Sequence, residues 1–198
     1  MRQPMEDKVV TISRAKGSLT FSANFQLIAA MNPCPCGYYG DSQKPCTCAQ
    51  GVVTKYQKRI SGPMLDRIDI HIEVPRVDYE KLSGDRLGES SEAIRARVQS
   101  ARNIQLARFA HSQPATSRST DIVCNADMRV GEIRQFCALQ DEGQGLMRAA
   151  MSQMNLSARA YHRVLRVART LADLAGAVRP GAAHVAEAIQ YRRNLDAR

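Results

Sequence analysis

The sequence has no tryptophan, few aromatic residues and no long apolar run. Aromatic residues make up 5% of its 198 residues and hydrophobic residues 44%, so aliphatic and methionine side chains must fill most of any core. The longest apolar run, Leu27–Met31, is far shorter than the ~20 residues that span a bilayer. We therefore expect no membrane-spanning segment.

A secretion signal and a block of basic residues are also missing. The first ten residues, MRQPMEDKVV, contain no apolar segment of the kind that a signal peptide needs. We therefore expect a cytoplasmic protein whose thiols are kept reduced. The formal net charge is +9, which suits an anionic partner such as a nucleotide, a nucleic acid or an acidic protein surface. The basic residues are spread along the chain, so charge alone does not identify a nucleic-acid-binding protein.

The first part of the chain, residues 1–75, has the character of an α/β region. We predict strands at Val9–Ser13, Phe25–Met31 and Ile68–Val74. The second run is almost continuously apolar, as in a strand buried on both faces, and the third alternates apolar and polar residues. A short helix is predicted over residues 52–61, before a Ser-Gly-Pro stop.

The rest of the chain is predicted to be helical. Residues 76–120 form a connector with one helix, capped at Ser90 or Ser91. A polar loop over residues 109–121 leads to a wholly helical part, residues 121–198. Strands followed by helices indicate an α/β fold followed by an all-α bundle. The predicted caps in the helical part are Asn125 and Ser157.

Four of the six cysteines form two Cys-x-Cys pairs inside a Gly- and Pro-containing insert, residues 33–50. The two cysteines of one Cys-x-Cys pair are too close in the sequence to form an unstrained disulfide. Disulfides between the two pairs are disfavoured in a reducing cytosol. Four thiolates can instead surround one tetrahedral Zn²⁺. A structural zinc site is the preferred interpretation, with free thiols and disulfides as alternatives. The candidate ligands are Cys34, Cys36, Cys46 and Cys48.

The other two cysteines, Cys124 and Cys137, lie apart from each other in helical surroundings. Isolated cysteines of this kind are most often small buried apolar residues. We therefore assign them no chemistry.

Two polar residues of the first part have both a functional and a purely structural interpretation. Asn32 ends a predicted buried strand, where α/β proteins place their ligands, yet an asparagine before Pro33 also suits a turn. Arg67 lies between Asp66 and Asp69, which is typical of a locally paired surface residue. Taken singly, both residues favour the structural interpretation.

In the helical part, Arg159 follows the predicted cap Ser157 and lies in the first turn of a helix. A phosphate would suit that position, because the helix N-terminus and the guanidinium are both positive. Arg163, Arg166 and Arg169 continue along the same helix. We predict that these three form a solvated basic face.

The order of these motifs resembles magnesium-chelatase-like AAA+ ATPases of the ComM/YifB type. The segments AAMNP, NPCPCGYYGD, SGPMLDRID and LSARAYHRVLRVARTLADL carry the resemblance, which covers nearly the whole chain. It implies the C-terminal part of a P-loop-type sheet core followed by a helical lid bundle. By this resemblance Asn32 is the sensor-1 residue that orients the attacking water. Arg67 is the arginine finger that reaches the ATP of a neighbouring subunit, and Arg159 is the sensor-2 arginine at the γ-phosphate.

The chain departs from that family at the phosphate cradle. It contains no Gly-Lys dipeptide and hence no P-loop, and the acidic pair of an earlier strand is missing. Asp141 and Glu142 come too late in the chain to replace that pair. The resemblance implies ATP and Mg²⁺ as cofactors of a ring-forming parent, a hexamer by analogy, with DNA remodelling or branch migration as its task. We expect this chain alone to bind ATP weakly and to hydrolyse none.

A different class of function is also compatible with the sequence. The net charge of +9, the cysteine cluster and the arginines of the last long helix fit a zinc-stabilised nucleic-acid-binding module with no ATPase role. Insertion of magnesium into a porphyrin rests on the family name alone, since no residue here marks a porphyrin site.

Overall fold

A computed structural model describes residues 2–77, 88–110 and 122–193 of the chain. It divides into two compact units, residues 1–68 and residues 69–198. The described part is mainly helical, with one two-stranded sheet.

The first unit contains one helix, a β-hairpin and two further short helices. The predicted helix over residues 52–61 is confirmed, although it begins two residues earlier. The elements are α1 (Arg2–Asp7), β1 (Val9–Arg14), β2 (Gly17–Ser22), α2 (Gln50–Gln57) and α3 (Gly62–Leu65).

The hairpin has one hydroxyl-bearing face and one apolar face. Strands β1 and β2 pair antiparallel, so that Thr11 faces Thr20 and Ser13 faces Ser18, with each pair of hydroxyl oxygens 3.1 Å apart. The predicted strand over Val9–Ser13 is therefore confirmed. Alternation places the other side chains on the opposite face. Three of them are exposed: Ile12, Leu19 and Phe21.

The other two predicted strands are wrong as strands in this structure. Phe25–Met31 and Ile68–Val74 contain no β-strand, and they leave Ile28 exposed by 85% and Val74 by 83%. A ladder needs a neighbouring strand to complete its hydrogen bonds. The only strands among residues 2–77 are those of the hairpin, and they pair with each other. The apolar pattern was thus present, but its partner strands were not.

The second unit is a helical bundle, as the sequence predicts. Two predicted caps are confirmed: Ser90 Oγ accepts from the Ala93 N–H at 3.2 Å, and Ser157 Oγ accepts from the Ala160 N–H at 3.1 Å. Both satisfy an N–H that the first helical turn leaves free. The elements are α4 (Ser91–Ala110), a 3₁₀ turn (Asn125–Asp127), α5 (Val130–Phe136), α6 (Asp141–Gln153), α7 (Ala158–Leu174) and α8 (Ala182–Arg193).

One apolar core holds this bundle together, and α7 lies at its centre. Helix α7 packs against α4, α5, α8 and the 3₁₀ turn. The rings of Phe109 and Phe136 meet edge to face with their centroids 5.8 Å apart. The core contains, among others, Ile133, Met147, Val164, Leu165, Ala168 and Val185.

Helix α4 packs on the bundle with its second half, from Ala101 onward, and not with its first half. Ile94 and Val98 are 41% and 45% exposed, while Ala101, Gln105 and Phe109 are buried. All residues of α4 before Ala101 are exposed. Its first half therefore contributes nothing to the core, and its apolar residues remain at the surface.

Two further sequence-based expectations concern the loop after α4 and membrane-spanning helices. The predicted loop over residues 109–121 lies mostly outside the described residues, and its first two residues finish α4. None of the described helices combines the length and the apolar character needed to cross a membrane.

Candidate functional site

The four clustered cysteines are the predicted site residues that the structure brings together. The Sγ atoms of Cys34, Cys36 and Cys46 lie 3.3 to 3.6 Å apart. Cys48 completes the group, because all four Sγ atoms lie within 4.8 Å of one another. All four are free thiols. Four sulfurs from two sequence pairs thus surround a common centre.

Turns in the insert bring the two pairs together. Gly37 and Gly40 both have φ of +83°, a left-handed conformation that glycine adopts without steric cost. The Asp41 carboxylate then accepts from the backbone N–H groups of Gln43 and Lys44 at 2.7 and 3.0 Å. The chain reverses between Cys36 and Cys46 because of these local interactions, as the sequence predicts for a Gly- and Pro-containing insert.

Helix α2 supports the cluster from its C-terminal side. It begins two residues after Cys48, and its Gln57 side chain donates to the Pro33 carbonyl at 3.1 Å. Val53 on the same helix is 1% exposed, and Cys34 is fully buried. The insert is therefore anchored at both ends.

The thiols differ in acidity. Hydrogen bonds from the Tyr38 backbone and then from the Cys34 thiol lower the pKa of Cys36 to about 5. The Cys48 backbone N–H acts to lower the pKa of Cys46, but burial and the neighbouring thiols of Cys36 and Cys34 raise it to about 12. Without a metal, Cys36 is therefore a thiolate beside the protonated thiol of Cys46, and a cation that bound there would displace the remaining proton.

The donor set fits a tetrahedral metal. Sulfurs at ~2.3 Å from a central Zn²⁺ lie about 3.8 Å apart, close to the 3.3 to 3.6 Å found among three of these thiols. Four protein ligands leave no open position for a substrate. The arrangement is thus suited to pinning a loop and not to catalysis.

Asn32 lies immediately before the cluster and is exposed. It belongs to no helix or strand, since the predicted strand that it was to end is absent from this part of the chain. The bond from Gln57 to the carbonyl of Pro33 fixes the backbone next to it. Asn32 is thus an accessible amide on an anchored segment.

Arg67 follows α3 and is engaged within the first unit. Its guanidinium donates to Glu6 Oε2 at 2.7 Å and to the Pro63 carbonyl. The side chain is only 10% exposed. The expected local pairing of Arg67 with Asp66 and Asp69 stays a prediction, and the structure additionally pairs Arg67 with Glu6, 61 residues away.

Arg159 is exposed in the first turn of α7, next to the Ser157 cap, where the sequence places it. It belongs to the second unit, whereas Asn32 and Arg67 belong to the first. The three residues thus lie on separate segments of two units, and their assigned roles remain predictions.

The predicted solvated face of α7 is wrong. Arg163 is 11% exposed and donates to Asp69 Oδ1 at 2.6 Å, and Arg166 donates to the Ala126 carbonyl at 3.2 Å. Arg169 is 2% exposed. The side chains of these arginines are shielded from solvent because α7 is covered by other elements on most of its sides.

A buried ionic network joins α4, the 3₁₀ turn and α7, and the sequence reasoning missed it. The Asp173 carboxylate, with no exposed area, accepts from Arg108, from Arg169 at 2.6 Å and from Asn125 at 2.8 Å. Arg169 also donates to the carbonyls of residues 177 and 178, which follow α7. Asn125 was predicted to cap a helix; it is instead buried in the turn, because its amide belongs to this network.

The network sets the protonation state of Asp173. Burial acts to raise its pKa, but hydrogen bonds from Arg108 and Asn125 and the charge of Arg169 outweigh burial and lower it. The carboxylate is therefore ionised at neutral pH. The i, i+4 spacing of Arg169 and Asp173 was the one signal of this pairing in the sequence.

Of the two remaining cysteines, Cys137 is 2% exposed, as predicted, and burial raises its pKa to about 11. Cys124 is only partly buried, and its thiol donates to Asp127 at 3.2 Å. Neither thiol belongs to the cluster.

Comparison with protein families gives two matches that together cover most of the chain. The family described as magnesium chelatase, subunit ChlI, matches residues 1–82. The family described as magnesium chelatase, subunit ChlI C-terminal, matches residues 88–192. The second match alone spans more than half of the chain.

Individual relatives agree with these matches. Competence protein ComM of Haemophilus influenzae is 40% identical over 194 residues, which is 97% of this chain and 35% of that protein. YifB of Escherichia coli is 37% identical and YifB of Salmonella typhimurium 35% identical, each over 97% of this chain and 35% of its own length. The chain thus spans about a third of the length of these relatives.

Proposed function

Because the chain belongs to the magnesium chelatase subunit ChlI family, we propose that it supplies the sensor, finger and lid residues of a ring-forming AAA+ ATPase. In this proposal residues 1–75 are the C-terminal part of the sheet core, residues 76–120 a connector and residues 121–198 the lid. The observation that carries the proposal is an exposed Arg159 in the first turn of a capped helix. That position suits a γ-phosphate.

The other two residues have distinct roles in the proposal. Asn32, exposed on an anchored segment, orients the water that attacks ATP. Arg67 is the finger that neutralises phosphoryl charge on a neighbouring subunit. Since Arg67 is paired with Glu6, it must exchange that carboxylate for phosphate oxygens when the ring assembles.

ATP and Mg²⁺ are cofactors of the whole assembly in this proposal. A P-loop elsewhere in the assembly would hold them, because this chain contains no Gly-Lys dipeptide. The metal would neutralise charge on the transferred phosphoryl group. In this proposal Asn32, Arg67 and Arg159 position the nucleotide, and they do not replace the P-loop.

Nucleotide binding by the purified chain tests the role of Arg159. We expect weak ATP binding by calorimetry, no turnover, and a loss of binding in Arg159→Ala. The matched control is Arg179→Ala, which removes another exposed arginine of the same unit and should bind as the parent chain does. Equal binding by Arg159→Ala, or ATP turnover that Arg67→Ala abolishes, would contradict the proposal.

We also propose that the four clustered cysteines hold one structural Zn²⁺. Support comes from their mutual distances and from the closed set of four sulfurs. Elemental analysis should find one zinc per chain, lost in Cys34→Ser and in Cys46→Ser. Cys124→Ser, outside the cluster, should retain it. Zinc retained in both cluster variants would refute the site.

DNA is a proposed partner of the assembled protein. The relative from Haemophilus influenzae is named a competence protein, and the net charge of +9 suits a polyanion. The alternative of a nucleic-acid-binding module without an ATPase role loses one of its supports, because the arginines of α7 are engaged within the bundle. Fluorescence anisotropy should show DNA binding that weakens steeply as the salt concentration rises. If neither single- nor double-stranded DNA binds at low salt, both the proposed DNA partner and the nucleic-acid-binding module are excluded.

A further inference from the structure

A cleft of about 640 Å³ opens between α5, α6 and α7 of the second unit. Its floor is apolar: Ile133, Met147 and Leu165 belong to the core and are at most 4% exposed. Met151 adds a second flexible thioether, and methionine side chains adapt to differently shaped apolar partners. The cleft thus offers apolar contact surface that reaches the core.

The rim of the cleft is basic. Arg134 and Arg148 line it and are exposed. Within the described residues neither guanidinium has a hydrogen-bond or ion-pair partner, and none of the residues that line the cleft is acidic. Two cations therefore flank an apolar floor without a compensating carboxylate.

The other titratable groups in the cleft do not add charge. Burial, followed by the charges of Arg166 and Arg134, lowers the pKa of His162, so its imidazole is neutral near pH 7. Burial raises the pKa of Cys137 to about 11, which keeps that thiol neutral as well. The positive charge of the cleft therefore comes from the two rim arginines.

We propose that this cleft binds a short acidic-apolar peptide segment of a protein partner, whose apolar side chains enter the floor and whose carboxylates pair with Arg134 and Arg148. A peptide fits better than a small molecule because the rim residues Ala138 and Gln144 are exposed. Small ligands are bound by sites that enclose most of their surface. An open cleft accepts instead a few anchoring side chains of a longer chain.

A pair of labelled hexapeptides tests the charge requirement. Glu-Glu-Leu-Phe-Glu-Glu should bind the intact chain in a fluorescence anisotropy titration, and Lys-Lys-Leu-Phe-Lys-Lys should not. Equal binding of the two peptides, or no binding of the acidic one, would overturn the proposal. The anionic dye 8-anilinonaphthalene-1-sulfonate serves as the small-molecule arm. Binding of the dye without binding of the acidic peptide would also overturn it.

Substitutions locate the binding. The double variant Arg134→Gln/Arg148→Gln should weaken binding of the acidic peptide by about tenfold, because two exposed ion pairs are lost. Arg102→Gln, an exposed arginine on α4 that does not line the cleft, is the matched control. The charge-reversed variant Arg134→Glu/Arg148→Glu should prefer the lysine peptide, a gain that misfolding would not produce. Ala138→Trp should block the acidic peptide by filling the cleft. Unchanged binding in these variants would place the peptide elsewhere.

Discussion

The two units bury very different amounts of apolar surface. Among the described residues of the first unit, Cys34 and Val53 are the only buried hydrophobic residues. The second unit has a continuous core that includes residues of all of its helices except the exposed first half of α4. Since burial of apolar surface is the main stabilising contribution to folding, the first unit must be stabilised by something else.

The two units also stabilise their irregular backbone differently. In the first, four sulfurs and two left-handed glycines shape the insert. In the second, the Asp173 carboxylate joins Arg108 and Arg169, and Arg169 binds the carbonyls beyond α7. The proposed zinc ion would complete the first arrangement, whereas the second is complete within the chain. The comparison predicts that the units respond to different perturbations.

The largest expected effect comes from removing the proposed zinc ion. Structural zinc supplies an apparent folding free energy on the order of 10 kcal/mol in small domains. Chelation should therefore abolish amide-exchange protection over residues 33–57, measured by mass spectrometry, and leave α7 unchanged. Cys34→Ser should behave like the chelated protein. Equal protection with and without chelator would show that the insert is stable without metal.

The second largest effect is expected from Asp173→Ala. It leaves the buried Arg169 and the partly buried Arg108 without their carboxylate, and breaking a buried ion pair costs about 3–5 kcal/mol. Urea unfolding should show this loss. Glu89→Ala removes the carboxylate of an exposed pair with Arg97 and should cost at most about 1 kcal/mol. Similar losses in the two variants would mean that burial of the network contributes no stability.

A smaller effect is expected on acidification. The pKa of Asp173 is lower in the folded chain than its ordinary value. Its contribution is therefore fully present above about pH 4, the range of unfolded aspartate, and is lost as pH falls through the lowered folded pKa. The stability of the second unit, measured by urea unfolding between pH 2 and 6, should fall less steeply in Asp173→Asn. An identical slope in both proteins would contradict this assignment.

The smallest effect is expected at the cap of α7. Ser157→Ala removes the acceptor for the Ala160 N–H and should cost about 1 kcal/mol in urea unfolding. Ser152→Ala, an exposed serine within α6, is the control and should change stability by less than about 0.5 kcal/mol. A Ser157 variant as stable as the control would show that solvent satisfies the N–H equally well.

Features encoded over short distances were predictable from the sequence. Helices α6 to α8 lie in the part of the chain that the sequence predicts to be wholly helical, and α7 also has its predicted cap at Ser157. The cysteine cluster could be predicted because its ligands lie within 15 consecutive residues, Cys34 to Cys48. In each case the interacting groups are neighbours in the chain.

Features that depend on distant partners were not predictable. Arg108 and Asp173 are 65 residues apart, Arg67 and Glu6 are 61 apart, and Arg163 and Asp69 are 94 apart. Composition shows that each arginine is present but not which carboxylate it meets. The two wrong strand predictions have the same origin. A strand requires a neighbouring strand to pair with, and its own apolar pattern does not identify that partner.

The irregular stretch from Ile68 to Val74 has a practical consequence. Ile70, Ile72 and Val74 are exposed by 48%, 69% and 83%. A run of exposed β-branched residues outside any helix or sheet invites pairing between molecules. Concentrated preparations of this chain should accordingly self-associate through that stretch, and one lysine in place of Ile72 is the simplest remedy for keeping them dispersed.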